Sequence, residues 1–480
     1  MSPPFYPKRA PGFRIPCSSS KRRRLAPPGA RPWASLPEDL VQLIGWRVLA
    51  GDLLDYVRFR AVCIHWSSSS VRPRGRGLLD PRFHPRRWMM LPEGHGLCPG
   101  HPNLGGYVRF FNLSTGVFVR VHLPLFDDHI VLDSTDGLLL LYRHPDTAIR
   151  LLHPFTGEIA ELPPLLSLLP QIEPHARSCM TEDMELSIFL RGICAAVNVS
   201  ATGAITVMLA LDMIKIHRVA YATAGDQQWS ISAWKLPPLR TQAVSFQGKL
   251  YVMSQQSASY QHNNKVYIYQ PASHQDNDEV YIYQIDRPQP NAQGSHSLSL
   301  PLPVMIAECP LVETISIVHL VECGSDLMLV GFNHTSDAHL VVYKLNDLIS
   351  GRVVPVKNIG EHALFVEERG VCVSPNKVLP SVLGNSITCI NRAPTHNPQV
   401  ETRDPRQSCP RVEQYHLSSG TWSLAMDGDI LCMDRAPASP YMLAHHIFTC
   451  CSRGYWNKGL ISCAAIRPNW SVKPNLRIKD

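Results

Sequence analysis

Residues 136–157 read DGLLLLYRHPDTAIRLLHPFTG. Asp136-Gly137 is a tight-turn signal, 138–142 is an apolar run of strand length, and 149–153 is a second such run that leads to the turn Phe155-Thr156-Gly157-Glu158. The stretch therefore reads as short strands joined by Gly-containing turns, and the same cassette recurs on both sides of it. Upstream, 87–91 and 107–112 lead through Ser114-Thr115-Gly116 to a returning strand at 117–121. Downstream come 205–211 with 219–223 and 229–233, then 243–246 before 248–252, then 315–321 with 326–330 and 339–345. The last set is 363–366, 371–374, 387–390 and 412–417, with Ser418-Ser419-Gly420 turning into Trp422. Strand-only repeats of about 40 to 50 residues are the mark of a β-propeller, whose blades bury their faces on one another, and about 350 residues are enough for six or seven. A large β-sandwich is the alternative geometry. Two segments interrupt the repeat. Residues 174–190 have helix-compatible spacing within a loop, and VYIYQ at 266–270 recurs at 280–284, where alternating Tyr suits an edge strand with one wet face.

One stretch has a different character. Residues 33–66, WASLPEDLVQLIGWRVLAGDLLDYVRFRAVCIHW, carry Leu36, Leu40, Leu43, Ile44 and Val48 at helical spacing, with Glu38, Asp39, Gln42 and Arg47 on other faces. Ser35 stands three positions before Glu38, a capping-box spacing that predicts a helix start, and Pro37 falls where a first turn tolerates a missing N–H. Gly51 breaks the pattern and Asp52 can cap a second helix, with Leu53, Tyr56, Val57, Phe59 and Val62 as its apolar load and Cys63 and Trp66 continuing it. About thirty residues bury too little to be stable alone, so the apolar surplus implies a partner.

The motif residues of this stretch, Leu36-Pro37, Asp52-Leu53-Leu54 and Arg60-Ala61-Val62-Cys63 with Trp66 three residues on, closely resemble the F-box, which docks on the Skp adaptor of cullin-type ubiquitin ligases. The resemblance implies that Leu36, Pro37, Leu40, Ile44, Leu53, Val62, Cys63 and Trp66 bind the adaptor or support the surface that does. A second resemblance covers about residues 87–435. Asp136-Gly137-Leu138-Leu139-Leu140, the run at 149–157, Gly248-Lys249-Leu250-Tyr251, the run at 360–366 and Gly384-Asn385-Ser386-Ile387 occur in the order found in the KIB-type β-propeller of plant F-box proteins. The chain departs from that family at Tyr343-Lys344-Leu345-Asn346, and the match thins after Met433.

The expected fold is mainly β: a small N-terminal α-helical F-box followed by a Kelch-like β-propeller of six or seven blades. The expected segments are a disordered basic Pro/Ser-rich tail at 1–32, the F-box at 33–70, an Arg/Gly/Pro-rich connector at 71–86, the propeller at 87–435 and a C-terminal segment at 436–480 that could close the last blade. Hydrophobic content of 45% with 18% charged residues argues against general disorder, and 41 Pro with 29 Gly suit a fold built from turns.

The net charge of +7 is concentrated near the front, in Lys21, Arg22, Arg23 and Arg24 and in the Arg-rich connector, so it does not imply nucleic-acid binding by the whole chain. That basic cluster reads as a nuclear import signal, a phosphate-binding arm or a solvated end. The 14 cysteines show no paired CxxC spacing and no apolar leader precedes the tail, which predicts a reduced intracellular setting, nucleus or cytoplasm, with neither metal nor cofactor. Cys450-Cys451 beside His445-His446 lacks a second spaced pair. No apolar run is long enough to span a membrane.

No phosphate loop, GxSxG elbow or HExxH helix is present, and the adjacent carboxylates Asp127-Asp128 and Glu367-Glu368 make poor acid/base pairs because neighbours on a strand face opposite ways. The expectation is a non-catalytic substrate receptor that docks on the Skp adaptor, and through it cullin, and holds an unknown protein target for ubiquitination. The alternatives are a propeller enzyme or a binding module acting outside a ubiquitin ligase, and a nuclear regulator using the basic tail.

Overall fold

The computed structural model describes residues 33–425, apart from 92–105, 175–185 except 177, 255–278, 291–297, 311–314, 334–338, 392–410 and several single or short positions, together with Ala444, Ile447 and Cys451. Two compact units divide at Val71 and Arg72.

The first unit is helical. A 3-10 turn, Trp33–Ser35, precedes α1 (Glu38–Gly51), α2 (Leu53–Arg60) and α3 (Ile64–Ser68). Ser35 is not the N-cap. That position falls to Pro37, which is extended (φ −53°, ψ 145°) and makes no side-chain cap. The residue before a proline is pushed out of the α region, so the helix waits until Glu38. Glu38 and Asp39 then place their charges in the first turn, where they favour the helix dipole. Asp52 caps α2 as expected, its Oδ1 accepting from Leu54 N at 2.8 Å and Asp55 N at 3.2 Å. The second helix does not continue to Trp66. It ends at Arg60, and the extended Cys63 starts α3 by accepting from Trp66 N through its Sγ at 3.4 Å.

The second unit is mainly β, with six sheets of three to five strands among the described residues forming a six-bladed β-propeller. Blade one is Trp88–Met90, Tyr107–Asn112 and Phe118–His122. Blade two is His129–Thr135, Leu138–Arg143, Ala148–Leu152 and Ile159–Leu162; blade three is Cys194–Val199, Ile205–Met213, Ile216–Thr223 and Ser230–Ile231. Blade four is Val244–Phe246, Lys249–Ser254, Glu279–Ile285 and Val304–Pro310; blade five is Ile315–Cys323, Asp326–Asn333 and Leu340–Lys344. Blade six orders Val371–Val373, Ala363–Val366, Ser386–Asn391, Arg411–His416 and Thr421–Leu424, and its Ala363–Val366 and Ser386–Asn391 strands run parallel, unlike every other pairing here.

Packing between blades explains why many of these strands are apolar on consecutive residues. Successive side chains point to opposite faces, and in a propeller both faces of a blade meet a neighbour. Leu250 and Val252 thus enter the core shared by blades three and four, whereas Tyr251 and Met253 enter the one shared by four and five. Leu327 and Leu329 face back to blade four while Met328 and Val330 face blade six, and Leu364 and Val366 face blade five while Ala363 and Phe365 join blade one. Blades two and three share a core that includes Leu138 and Leu140 with Val207 and Leu209, and Phe155, in a turn of blade two, packs on Trp88 and Phe110 of blade one at ring separations of 5.4 and 5.2 Å. Ala444, Ile447 and Cys451 are buried in the core between blades six and one.

Three expectations are corrected. Residues 71–86 are not a free connector: Leu78 and Phe83 are buried, Glu158 of blade two accepts from Gly75 N (2.6 Å) and Leu78 N (3.3 Å), and His153 Nε2 lies 3.0 Å from Phe83 O. The Tyr-rich 280–284 stretch is no edge strand, since Glu279–Ile285 pairs on both sides and Tyr283 is buried; the first VYIYQ copy lies outside the described residues. Several strands pass unnoticed in the sequence reading, among them His129–Thr135 and Cys194–Val199, each the first of its blade, and Val304–Pro310 in blade four. The Lys21–Arg24 cluster, Cys450, His445 and His446 also lie outside the described residues. Among the described residues, no helix is long and apolar enough to cross a membrane.

Candidate functional site

Two regions offer surfaces that the core does not consume. In the helical unit, the inward face of α1 is Val41, Gly45 and Leu49, packed with Leu53, Tyr56 and Phe59 of α2. Gly45 admits the close approach: a Cβ there would sit 3.2 Å from Phe59 and 3.3 Å from Tyr56. Trp66 lies on Phe59 at 4.5 Å between ring centres and donates from Nε1 to Trp33 O at 3.1 Å. Tyr56 donates to Val71 O at 2.7 Å, Arg60 donates to Ser70 Oγ and Ser67 O, and His65 Nε2 is 2.7 Å from Leu36 O. The hairpin therefore has a small core of its own.

That core uses a different stripe of α1 from the one the sequence spacing singled out. Leu40 remains 42% exposed and Leu43 50%, Ile44 and Val48 are half-buried, and Val57 (46%), Val62 (62%) and Ile64 (89%) are open at the other end. Of the motif residues, Pro37, Leu40 and Val62 are exposed, Leu36, Ile44, Cys63 and Trp66 are half-buried, and Leu53 is buried. The motif thus divides into residues that build the hairpin, Leu53, Cys63 and Trp66, residues that face out, Pro37, Leu40 and Val62, and the half-buried Leu36 and Ile44. Ile64 was not legible, because only the turn that starts α3 turns it outward.

In the propeller, polar side chains meet where the first strands of the blades end. These strands contact one another in sequence from blade two to blade six. A bulge between Val131 and Asp133 shifts the register of the first strand of blade two. The fully buried Asp133 accepts from Ala195 N and Ser134 N, both at 2.7 Å, and pairs with Arg369 of blade six at 3.1 Å. Arg369 also donates to Ser134 O. Thr135 Oγ1 and Ser245 Oγ, from blades two and four, lie 3.0 Å apart. The Asp133–Arg369 and Thr135–Ser245 contacts cross the ring rather than follow it.

Asp136 belongs to the same place. With Gly137 it forms a two-residue turn with φ of 52° and 78°, the twist that suits a tight hairpin, and a Cβ at Gly137 would strike Pro85 O at 2.1 Å. Burial works to raise the Asp136 carboxyl, but His84 and then Arg86, which is 3.3 Å away, outweigh it and hold the group below its usual range. Glu322, near the end of the first strand of blade five, behaves in the opposite way. Crowding by protein atoms, then repulsion from Asp136, pushes it up to about 7 against the pull of Arg86 and Arg369. Its side chain is nonetheless open to solvent, so water reaches it while the surrounding protein limits how well that water solvates a charge. The result is a carboxyl that changes charge near neutral pH inside an otherwise paired cluster.

A six-bladed propeller with polar bridges across its centre fits a protein-binding module. Residues 110–409 match the family model described as the KIB1-4 beta-propeller, and the chain belongs to that family. No curated protein matches the chain.

Proposed function

We propose that this chain is an F-box substrate receptor of a Skp-cullin-F-box ubiquitin ligase, working inside the cell in the nucleus or cytoplasm. The helical hairpin docks on the Skp adaptor, and the propeller holds a target protein for ubiquitination. The observation that carries the reading is the surplus of exposed apolar side chains: Leu40, Leu43, Val57, Val62 and Ile64 stay exposed although the hairpin already has a core in Val41, Leu49, Tyr56 and Phe59. Exposed apolar side chains grouped on one small element support a docking surface, and family membership supports the propeller as its cargo-holding part. The receptor makes no bonds itself; it raises the effective concentration of its target beside the transfer machinery.

The test is co-purification of the full-length chain with a Skp adaptor. Leu40→Asp with Val62→Asp is expected to abolish capture while leaving the melting of the propeller unchanged, because both side chains already face water. Trp66→Ala is the poorer probe, since it removes the ring that packs on Phe59. Undiminished capture by the double variant sinks the assignment. Proteins lost from the variant in parallel pull-downs are ligase subunits, and those kept are candidate targets.

A further inference from the structure

Cys323, His362 and Cys372 each offer one donor atom, and these three atoms all lie within 4.8 Å of one another. They come from three separate places: the end of the first strand of blade five, the residue before Ala363–Val366, and the middle of Val371–Val373 in blade six. We propose that they bind a thiophilic divalent cation, with zinc as the fitting ion, and that the bound ion joins blade five to blade six.

Geometry supports this. The two sulfur atoms are 3.5 Å apart. Two thiolates on one tetrahedral zinc, each at about 2.3 Å, stand roughly 3.8 Å apart, so the pair is within a few tenths of an ångström of shared coordination. A disulfide requires about 2.05 Å and leaves the imidazole without a part to play. Two sulfurs and a nitrogen form a soft donor set that selects zinc-type ions over magnesium or calcium. The His362 Nδ1 lies 3.3 Å from Ser374 Oγ, and metal-bound histidines commonly hold an outer hydrogen-bond partner on one ring nitrogen while the other takes the ion. Cys323 is buried while His362 and Cys372 are half-buried, so solvent reaches two of the three ligands and can supply the fourth. Spacing rules could not find this site, because its ligands are far apart in the chain and only the seam between two blades unites them.

The experiment uses the full-length chain purified under reducing conditions, with Zn²⁺ and Co²⁺ as probes. One equivalent of zinc is expected after dialysis against metal-free buffer, and cobalt should give the intense visible bands of a tetrahedral site with a thiolate charge-transfer band in the near ultraviolet. His362→Ala should weaken zinc binding at least tenfold, and Cys323→Ser or Cys372→Ser should abolish it. Cys389→Ser, at a buried thiol outside the cluster, should leave it unchanged. Zinc should also raise the melting temperature of the parent chain and not that of His362→Ala. The parent chain's cobalt spectrum decides the matter even if the cysteine variants fail to fold. A parent chain with no bound zinc and no cobalt bands overturns the proposal, and so does a Cys323–Cys372 disulfide found in its place.

Discussion

The helical hairpin and the propeller spend their apolar residues differently. In the propeller each blade has two neighbours, so consecutive residues of an inner strand such as Leu364 and Phe365 are both buried, one against blade five and the other against blade one. In the hairpin one stripe of α1 makes the core and a second, nearly as apolar, faces water. A sequence pattern alone does not tell the two situations apart, since an apolar side chain reads the same whether its partner is in the chain or elsewhere. The difference lies in what the rest of the fold can reach.

The sharpest way to break this comparison is to truncate one residue of each kind. Phe365→Ala, at a side chain with no exposed surface, should cost about 4 kcal/mol, read as a large fall in the propeller's melting temperature. Leu40→Ala should stay within about 0.5 kcal/mol, because its side chain gains little from the hairpin. Equal losses would mean that the outer stripe is structural. Next in size, Asp52→Ala removes the cap that serves Leu54 and Asp55 and should cost about 1 kcal/mol, measured as reduced helical signal at the hairpin's own transition. A silent Asp52→Ala would show that packing on Tyr56 and Phe59, not the cap, sets where α2 begins.

The smallest effect concerns Glu322. Its carboxyl is raised from the ordinary 4.5 to about 7 in the folded chain, so between those values the folded state keeps a proton that the unfolded state has lost. Stability contributed by this group therefore falls as pH rises through that window, the reverse of a salt-bridged carboxylate, and because the side chain is exposed, solvent screens part of the effect. Glu322→Gln cannot titrate, so its stability curve should be flatter between pH 4.5 and about 7 and lie above the parent's beyond it, as followed by denaturant melts across pH. A parallel pair of curves would place Glu322 in ordinary solvent and remove it from the cluster.

Much of the propeller was legible because tight turns and alternating residues have a local cause. Ser114-Thr115-Gly116, Asp136-Gly137 and Ser418-Ser419-Gly420 all lie between strands in the structure. What escaped were first strands such as His129–Thr135 and Cys194–Val199, where burial on both faces leaves no polar alternation to read. The cost was functional, since Asp133 and the bulge that positions it lie on one of them. The adjacent pairs Asp127-Asp128 and Glu367-Glu368 drew attention by being neighbours, whereas the carboxylates that matter are brought together by the fold: Asp136 of blade two acts on Glu322 of blade five, and Arg369 of blade six pairs with Asp133 and pulls on Glu322.

By itself the sequence determined the kinds of element and their order: an amphipathic hairpin, then strands punctuated by Gly turns, because backbone preference and hydrophobic period act over a few residues. It also marked Asp52 as a cap and Leu53 as part of the apolar load of the second helix. Only the tertiary structure decided which α1 stripe is core, that the Arg-rich stretch at 71–86 folds onto blade two, and that Cys323, His362 and Cys372 share one spot. Those outcomes depend on which distant surfaces meet when the ring of blades closes, and nothing within a window of local sequence encodes that meeting.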